Sequence, residues 1–316
     1  GRNEHGMLER RPEVAAALIA GEFGAFRVDL PHGVLTAGSV RTIDVDQSND
    51  SVICDDAVIK WQLDAQPSPA PRALRAVADA AVTPRVRALV EWTDAAGKVC
   101  TLATAADYLE GAEDGWTWAV ELVRAHARGE SVDAIEPFAH LGAMTARMHI
   151  ALAGLGVAHW GAQECAVQAA HAEAALDEAV ALTGGDEGQR LRERLPVLRE
   201  RIAALAHITS TPVIAIHGDL HVGQVLRTRA GEMAIIDFDG NPLLPPEQRL
   251  EAAPAARDVA GMLASIDHVA RVVNFRTEDL DPRPALIWIA HAQDAFLAEY
   301  QQTLTAAGMR ELLDDR

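Results

Sequence analysis

Two short stretches constrain this chain most: Ile216-His217-Gly218-Asp219-Leu220-His221 and Ile235-Ile236-Asp237-Phe238-Asp239. Each carries a β-branched apolar run, Val213, Ile214 and Ile216 in the first case and Ile235 with Ile236 in the second. Such runs flanked by turn formers read as buried strands. A carboxylate at the end of a buried strand is costly unless a cation or strong donors satisfy it. Taken singly, Asp219 and Asp237 have plain turn formation as the lesser alternative; taken together, with Gln224 between them, they suit a magnesium–nucleotide site.

The formal charge of −18 weighs against nucleic acid and anionic membranes as partners. It also means that any bound phosphate needs a metal or local basic groups to offset it. The 316 residues are enough for two lobes, and the low aromatic content of 4% with abundant alanine favours helices. Cys54, Cys100 and Cys165 are too far apart for a disulfide framework or a zinc pattern and read as small buried hydrophobes. No apolar run approaches a membrane span, and no signal peptide precedes the first helix, so a cytoplasmic location is expected.

Residues 1–40 carry the weakest signals. Leu8 to Phe23 can form a helix, and Phe26 to Leu35 a strand pair around Pro31-His32-Gly33; together they read as an added cap. The start at Gly1, without Met, reads as an appended remnant. From Arg41 the apolar period becomes two: Ile43 and Val45, then Val52 and Cys54, then Val58 to Trp61 predict a three-stranded meander. A Pro-rich link, Pro67 to Pro71, leads into a helix over Arg72 to Ala80, and Val86 to Trp92 with Lys98 to Thr104 predict a hairpin about Asp94 to Gly97. Ala106 to Gly111 reads as a hinge between lobes.

Beyond it, apolar residues at three- and four-residue intervals predict helices over Trp116 to Arg128, Ala134 to Leu155, Glu164 to Leu182, Glu187 to Leu205, Arg257 to Val273 and Pro284 to Leu304. The expected fold class is α+β, with a cap over residues 1–40, a small five-stranded antiparallel lobe over 41–105 and a mainly helical lobe over 106–316. Met144, Met148, His149 and Leu152 read as core. In the last helix Leu286, Ile289, Ala290, Phe296, Leu297 and Tyr300 form the apolar stripe, which leaves Trp288, Asp294 and Glu299 off it. A surface tryptophan beside carboxylates can pack on a sugar face while the acids accept its hydroxyl or ammonium hydrogens; a plain exposed face fits equally well. Asp267, on the preceding helix, faces either an acceptor pocket or solvent.

The paired motifs resemble the aminoglycoside-phosphotransferase-like branch of the protein-kinase-like superfamily. The longer run from His217 to Arg227 (H-G-D-L-H-V-G-Q-V-L-R), followed by Ile236 to Pro242 (I-D-F-D-G-N-P), looks like the bacterial maltokinases and still more like their actinobacterial relatives, the glucosamine kinases. The resemblance covers about residues 40 to 305. It implies a two-lobed kinase-like fold and ATP-dependent phosphorylation of a sugar hydroxyl, with glucosamine giving glucosamine 6-phosphate. Maltose is the alternative acceptor and an aminoglycoside the next; a non-catalytic nucleotide-binding pseudokinase is the reading from another class.

Mapped residue by residue, the resemblance makes Asp219 the catalytic aspartate that accepts or orients the acceptor hydroxyl's proton, with His221 beside it. Asp237 and Gln224 would hold magnesium, with Asp239 a candidate second contact. Related chains carry Asn where Gln224 stands; the longer amide keeps the ligating oxygen. Lys60, which alone reads as an ordinary strand lysine, would pair with the nucleotide phosphates, and Ser48, Asn49 and Ser51 would take the place of the glycine-rich turn. Backbone groups around Tyr108 would meet the adenine edge. The helix after Lys60 lacks the glutamate that orients this lysine in kinases, and Asp258 would brace the catalytic loop. The partners implied are ATP and a small sugar, with no nucleic acid or membrane, for a monomer or weak homodimer.

Overall fold

The computed structural model describes residues 26–29, 40–42, 50–54, 56–277 and 280–313. Six strands form one antiparallel sheet: β1 (Phe26–Asp29), β2 (Val40–Thr42), β3 (Asp50–Cys54), β4 (Ala57–Gln66), β5 (Val86–Thr93) and β6 (Val99–Asp107), in the order β1-β5-β6-β4-β3-β2. Strands β3 and β4 and the hairpin β5-β6 match the alternation in the sequence, while Ile43 and Val45, expected in the first strand of the meander, lie outside the described residues. The hairpin turn is closed by Asp94, whose carboxylate accepts from the N–H groups of Ala96 and Lys98, both at 2.8 Å. Five strands were expected, and Phe26–Asp29, assigned by its sequence to the cap, is the sixth. It pairs with β5 so that Val28 stands opposite Val90 and packs on the sheet's apolar cluster. The helix expected over Leu8 to Phe23 and the turn residues Ser48 and Asn49 lie outside the described residues.

Period-two alternation gives this sheet two different faces. Val52, Cys54, Ile59, Ala88, Val90, Ala103 and Ala105 form a small apolar cluster on one. On the other, Ser51, Lys60 and Thr104 stand in one cross-strand row, since Lys60 is opposite Ser51 on β3 and Thr104 on β6. Helix α1 (Ala70–Val77) joins the core of the helical lobe instead, through Ala70, Ala73 and Val77.

The helical lobe contains α2 (Gly115–Ala127), α3 (Glu136–Ala153), α4 (Ala162–Leu182) and α5 (Gly185–Leu205), then α6 (Pro246–Arg249), α7 (Ala256–Arg276) and α8 (Pro282–Ala306). Asp114 caps α2, accepting from the N–H groups of Trp116 and Thr117. Helices α3 and α8 approach closely at Gly142, where a Cβ would lie 2.1 Å from the Phe296 carbonyl oxygen, so only glycine permits the contact. Met144, Met148, His149 and Leu152 are buried there as expected, and so are Cys54, Cys100 and Cys165.

The face of α8 departs from the expectation. Its buried stripe is Ala285, Trp288, Ala292, Phe296, Tyr300 and Leu304, while Leu286 and Ile287 are exposed. Trp288 is therefore a core residue and not a sugar platform. It is 1% exposed, its indole N–H donates to the Ala134 carbonyl at 2.8 Å, and it meets Phe138 edge-on at 5.0 Å.

Between α5 and α7 the chain crosses the lobe interface in short pieces. Strand β8 (Ser210–Val213) pairs with β7 (Ala158–Gly161), and β9 (Val225–Arg227) with β10 (Met233–Ile235). The loop after β8 contains Asp219 and the loop after β10 contains Asp237 and Asp239, so the two motif-bearing stretches end up side by side. Among the described residues no helix is long and apolar enough to cross a membrane.

Candidate active site

Buried contacts fix the backbone of the Asp219 loop. Asp258, in the first turn of α7 and 1% exposed, accepts from His217 N–H at 2.8 Å on one oxygen and from Gly218 N–H at 2.9 Å on the other. It also accepts from His149 Nε2 at 3.1 Å. With Nε2 carrying the proton, His149 Nδ1 accepts from the Tyr300 hydroxyl at 2.8 Å, so α3, α7 and α8 converge on the loop through one chain of bonds. Burial opposes ionisation of Asp258, but the hydrogen bond from His149 together with the backbone donors holds its pKa below the ordinary carboxylate value. Burial and the same carboxylate push the Tyr300 hydroxyl upward.

His217 is also buried. Its Nε2 donates to the Ile236 carbonyl at 2.9 Å, which leaves Nδ1 to accept from Asp219 N–H at 3.3 Å. Gly218 takes a left-handed φ of 83°, and a Cβ there would come within 3.3 Å of Gly240, which explains the glycine between His217 and Asp219.

Asp219 itself stays accessible, with 29% of its side chain exposed. Partial burial raises its pKa from the ordinary value, with His221 and His217 acting in the opposite direction. The contact of His221 with Asp219 is loose: its Nε2 lies 4.0 Å from Asp219 Oδ2 and 3.5 Å from the Gln224 amide nitrogen. Its Nδ1 accepts from Gly223 N–H at 3.0 Å, and burial lowers its pKa. Gln224 is held by its carbonyl, which accepts from Ile236 N–H at 2.9 Å, one residue before Asp237.

Asp237 adopts a left-handed φ of 67°, unusual for a residue other than glycine and a form of strain that clusters at functional sites. Lys60 crosses from the sheet to reach it: Nζ donates to Asp237 Oδ1 at 2.5 Å and to Asp239 Oδ2 at 2.7 Å. Burial lowers the lysine pKa, but the two carboxylates outweigh it and the net direction is upward. The second Asp239 oxygen accepts from Gln62 Nε2 at 2.9 Å and from Ser68 Oγ at 2.6 Å. Burial would raise the Asp239 pKa, yet Lys60 and these donors bring it below the ordinary value. Asp239 is thus engaged by protein donors on both oxygens, in contrast to its expected availability to a metal.

Asp219, His221, Gln224, Asp237, Asp239 and Lys60 are gathered into this one cleft. Ser51 is buried in the row beside Lys60. Tyr108 sits at the hinge, but its N–H donates to the Asp56 carbonyl at 2.7 Å and is not a donor for an adenine edge. Asp267 is held in a bidentate pair by Arg271, whose guanidinium occupies both carboxylate oxygens. Asp294 is exposed and Glu299 half-buried, and neither has an ion-pair partner among the described residues. Two contributions were not anticipated. Gln62 and Ser68 bind Asp239, and Trp116, at the start of α2 and 38% exposed, lies 6.2 Å from the His221 ring.

Residues 55–312 match the profile of the "Phosphotransferase enzyme family". The chain belongs to that family. Among its relatives is a glucosamine kinase of Streptacidiphilus jiangxiensis, 45% identical over 302 residues that make up 92% of this chain and 68% of that protein. A glucosamine kinase of Mycolicibacterium smegmatis (strain ATCC 700084 / mc(2)155) is 37% identical over 289 residues, 88% of this chain and 71% of that one. Among solved structures, a glucosamine kinase in complex with glucosamine, ADP and inorganic phosphate superposes with a TM-score of 0.89 at 41% identity, covering 99% of this chain and 77% of that one. The two-lobed, kinase-like α+β architecture agrees with these neighbours. As a family member the protein is a phosphotransferase.

Proposed function

We propose that this protein is an ATP-dependent glucosamine kinase producing glucosamine 6-phosphate. The observation that carries the reading is the position of Asp219: an accessible carboxylate on a loop locked by Asp258, next to the Lys60–Asp237 pair. The kinship to glucosamine kinases supports the acceptor.

In this mechanism Asp219 accepts a hydrogen bond from the sugar's 6-hydroxyl and takes its proton as the oxygen attacks the γ-phosphorus and the bond to the β,γ-bridging oxygen breaks, releasing ADP. Its raised pKa suits a base that receives a proton late in phosphoryl transfer. Lys60 has one remaining N–H for a phosphate oxygen. Asp237 and Gln224 fit magnesium: one carboxylate and one amide oxygen leave most positions of a hard cation to phosphate and water. The metal would neutralise phosphate charge there. Among the described residues no group of three or more His, Cys, Asp or Glu is arranged to hold a metal, so the ligand set is a sparse one that nucleotide oxygens complete.

For the sugar, Asp294 and Glu299 are the acids on α8 without partners, and one of them would receive the ammonium group. Trp116 supplies the apolar face that Trp288 does not. The division into residues 1–40, 41–105 and 106–316 is retained except that Phe26–Asp29 joins the β lobe. ADP release measured with glucosamine, glucose, maltose and kanamycin tests the reading. Turnover confined to or strongest with glucosamine supports it; turnover with maltose or kanamycin alone overturns it.

A further inference from the structure

Kinase-like sites need their phosphate-binding lysine held in place, and kinases use a helix glutamate for this. Helix α1 has no acid at all: its sequence is Ala-Pro-Arg-Ala-Leu-Arg-Ala-Val. Its Arg75 is paired with Asp29 and Glu91, and Asp79, just beyond the helix, is exposed. We propose that Asp239 is the positioning residue that replaces the missing glutamate, and that Gln62 and Ser68 complete it as a staple between the lobes. This inference rests on the reading that the cleft binds ATP.

The geometry separates Asp239 from its neighbour Asp237. Asp239 is the more deeply placed, with 16% of its side chain exposed against 32% for Asp237. Its oxygens divide between one bond to Lys60 and two to Gln62 and Ser68. Gln62 is two residues from Lys60 on β4, so period two puts both side chains on the cleft face. Ser68 precedes α1 and also accepts from Ala70 N–H at 3.1 Å, which ties the helix start to the same carboxylate. The adjoining Gly240 has φ of 74° and room for a Cβ only at 3.2 Å from Arg249, so the loop bearing Asp239 is held on its other side too. A carboxylate so engaged fixes the lysine from the sheet side and leaves Asp237 open toward the phosphates.

The test is ADP affinity by calorimetry, without divalent metal and again with magnesium, for wild type and Asp239→Asn, Gln62→Leu and Ser68→Ala, each repeated in a Lys60→Met background. Melting curves establish that every variant is folded. Removing the Asp239 charge should tighten binding of an anion by Coulomb's law alone, so weaker binding is diagnostic of positioning. The expected loss is roughly tenfold for Asp239→Asn, from one charge-assisted bond, and smaller for the other two. In the Lys60→Met background Asp239→Asn should cause no further loss. Unchanged or tighter binding by Asp239→Asn, or a loss that appears only with magnesium and persists without Lys60, overturns the proposal and makes Asp239 a metal ligand. No ADP binding by the wild type would instead bring down the ATP reading and this inference with it.

Discussion

Substituting Asp258 by Asn should separate catalytic-loop geometry from nucleotide binding. The carboxylate takes three donors: His149 Nε2 and His217 N–H on one oxygen, Gly218 N–H on the other. An asparagine keeps the doubly bonded oxygen best, so its NH₂ group then faces Gly218 N–H, donor against donor. One charge-assisted bond is lost, two become neutral, and a buried N–H is left unsatisfied; at about 1–3 kcal/mol for each such loss, destabilisation of about 2–4 kcal/mol is expected. The Asp219 loop should lose its register, with kcat falling on the order of a hundredfold while KM for ATP changes little, because Lys60 and Asp237 are untouched. The sign with pH follows from the depressed Asp258 pKa. Its contribution is fully present above the ordinary carboxylate range and is lost as pH falls through the lower native value, so the gap between wild type and variant should narrow there. Urea unfolding across pH and steady-state kinetics read both effects. A variant within 0.5 kcal/mol of wild type, with normal kcat, would refute the bracing role; about 0.5 kcal/mol is the range of ordinary surface substitutions.

Asp219→Asn should lower kcat by on the order of 10²–10⁴ while ADP still binds in calorimetry. Because partial burial raises its pKa, wild-type activity should fall on the acid side at a pH above the ordinary carboxylate range, and Asp219→Asn should melt no lower than wild type at neutral pH. Asp237→Ala should remove the part of ADP affinity that depends on magnesium, seen by comparing titrations with and without the metal. Trp116→Ala should raise KM for the sugar with kcat nearly kept, since the indole borders His221 and not the reacting atoms.

The parts of the site legible in the sequence are those whose chemistry is local. His217-Gly218-Asp219 and Asp237-Phe238-Asp239 announce themselves because a carboxylate at the end of an apolar strand has few alternatives, and Asp258 and His149 fall where the resemblance expects them. Helix phase was legible only where polarity alternates. In α8 leucine, isoleucine and alanine occur almost all round the helix, so the stripe could be drawn through Leu286 and Ile289 as well as through Trp288; close approach to α3 at Gly142 decides it. The staple at Asp239 was not legible at all. Gln62 and Ser68 lie 177 and 171 residues away from it, and nothing in a glutamine on a strand or a serine before a helix signals its distant acceptor.

The measurement closest to the central claim is the ratio of kcat/KM for glucosamine to that for glucose, with the phosphorylated position of the product read by NMR. An acid that pairs with the sugar ammonium should favour glucosamine by about 1.5–3 kcal/mol, roughly ten- to a hundredfold, with phosphate on the 6-oxygen. Equal use of the two sugars, or phosphate at the anomeric position, would contradict the account.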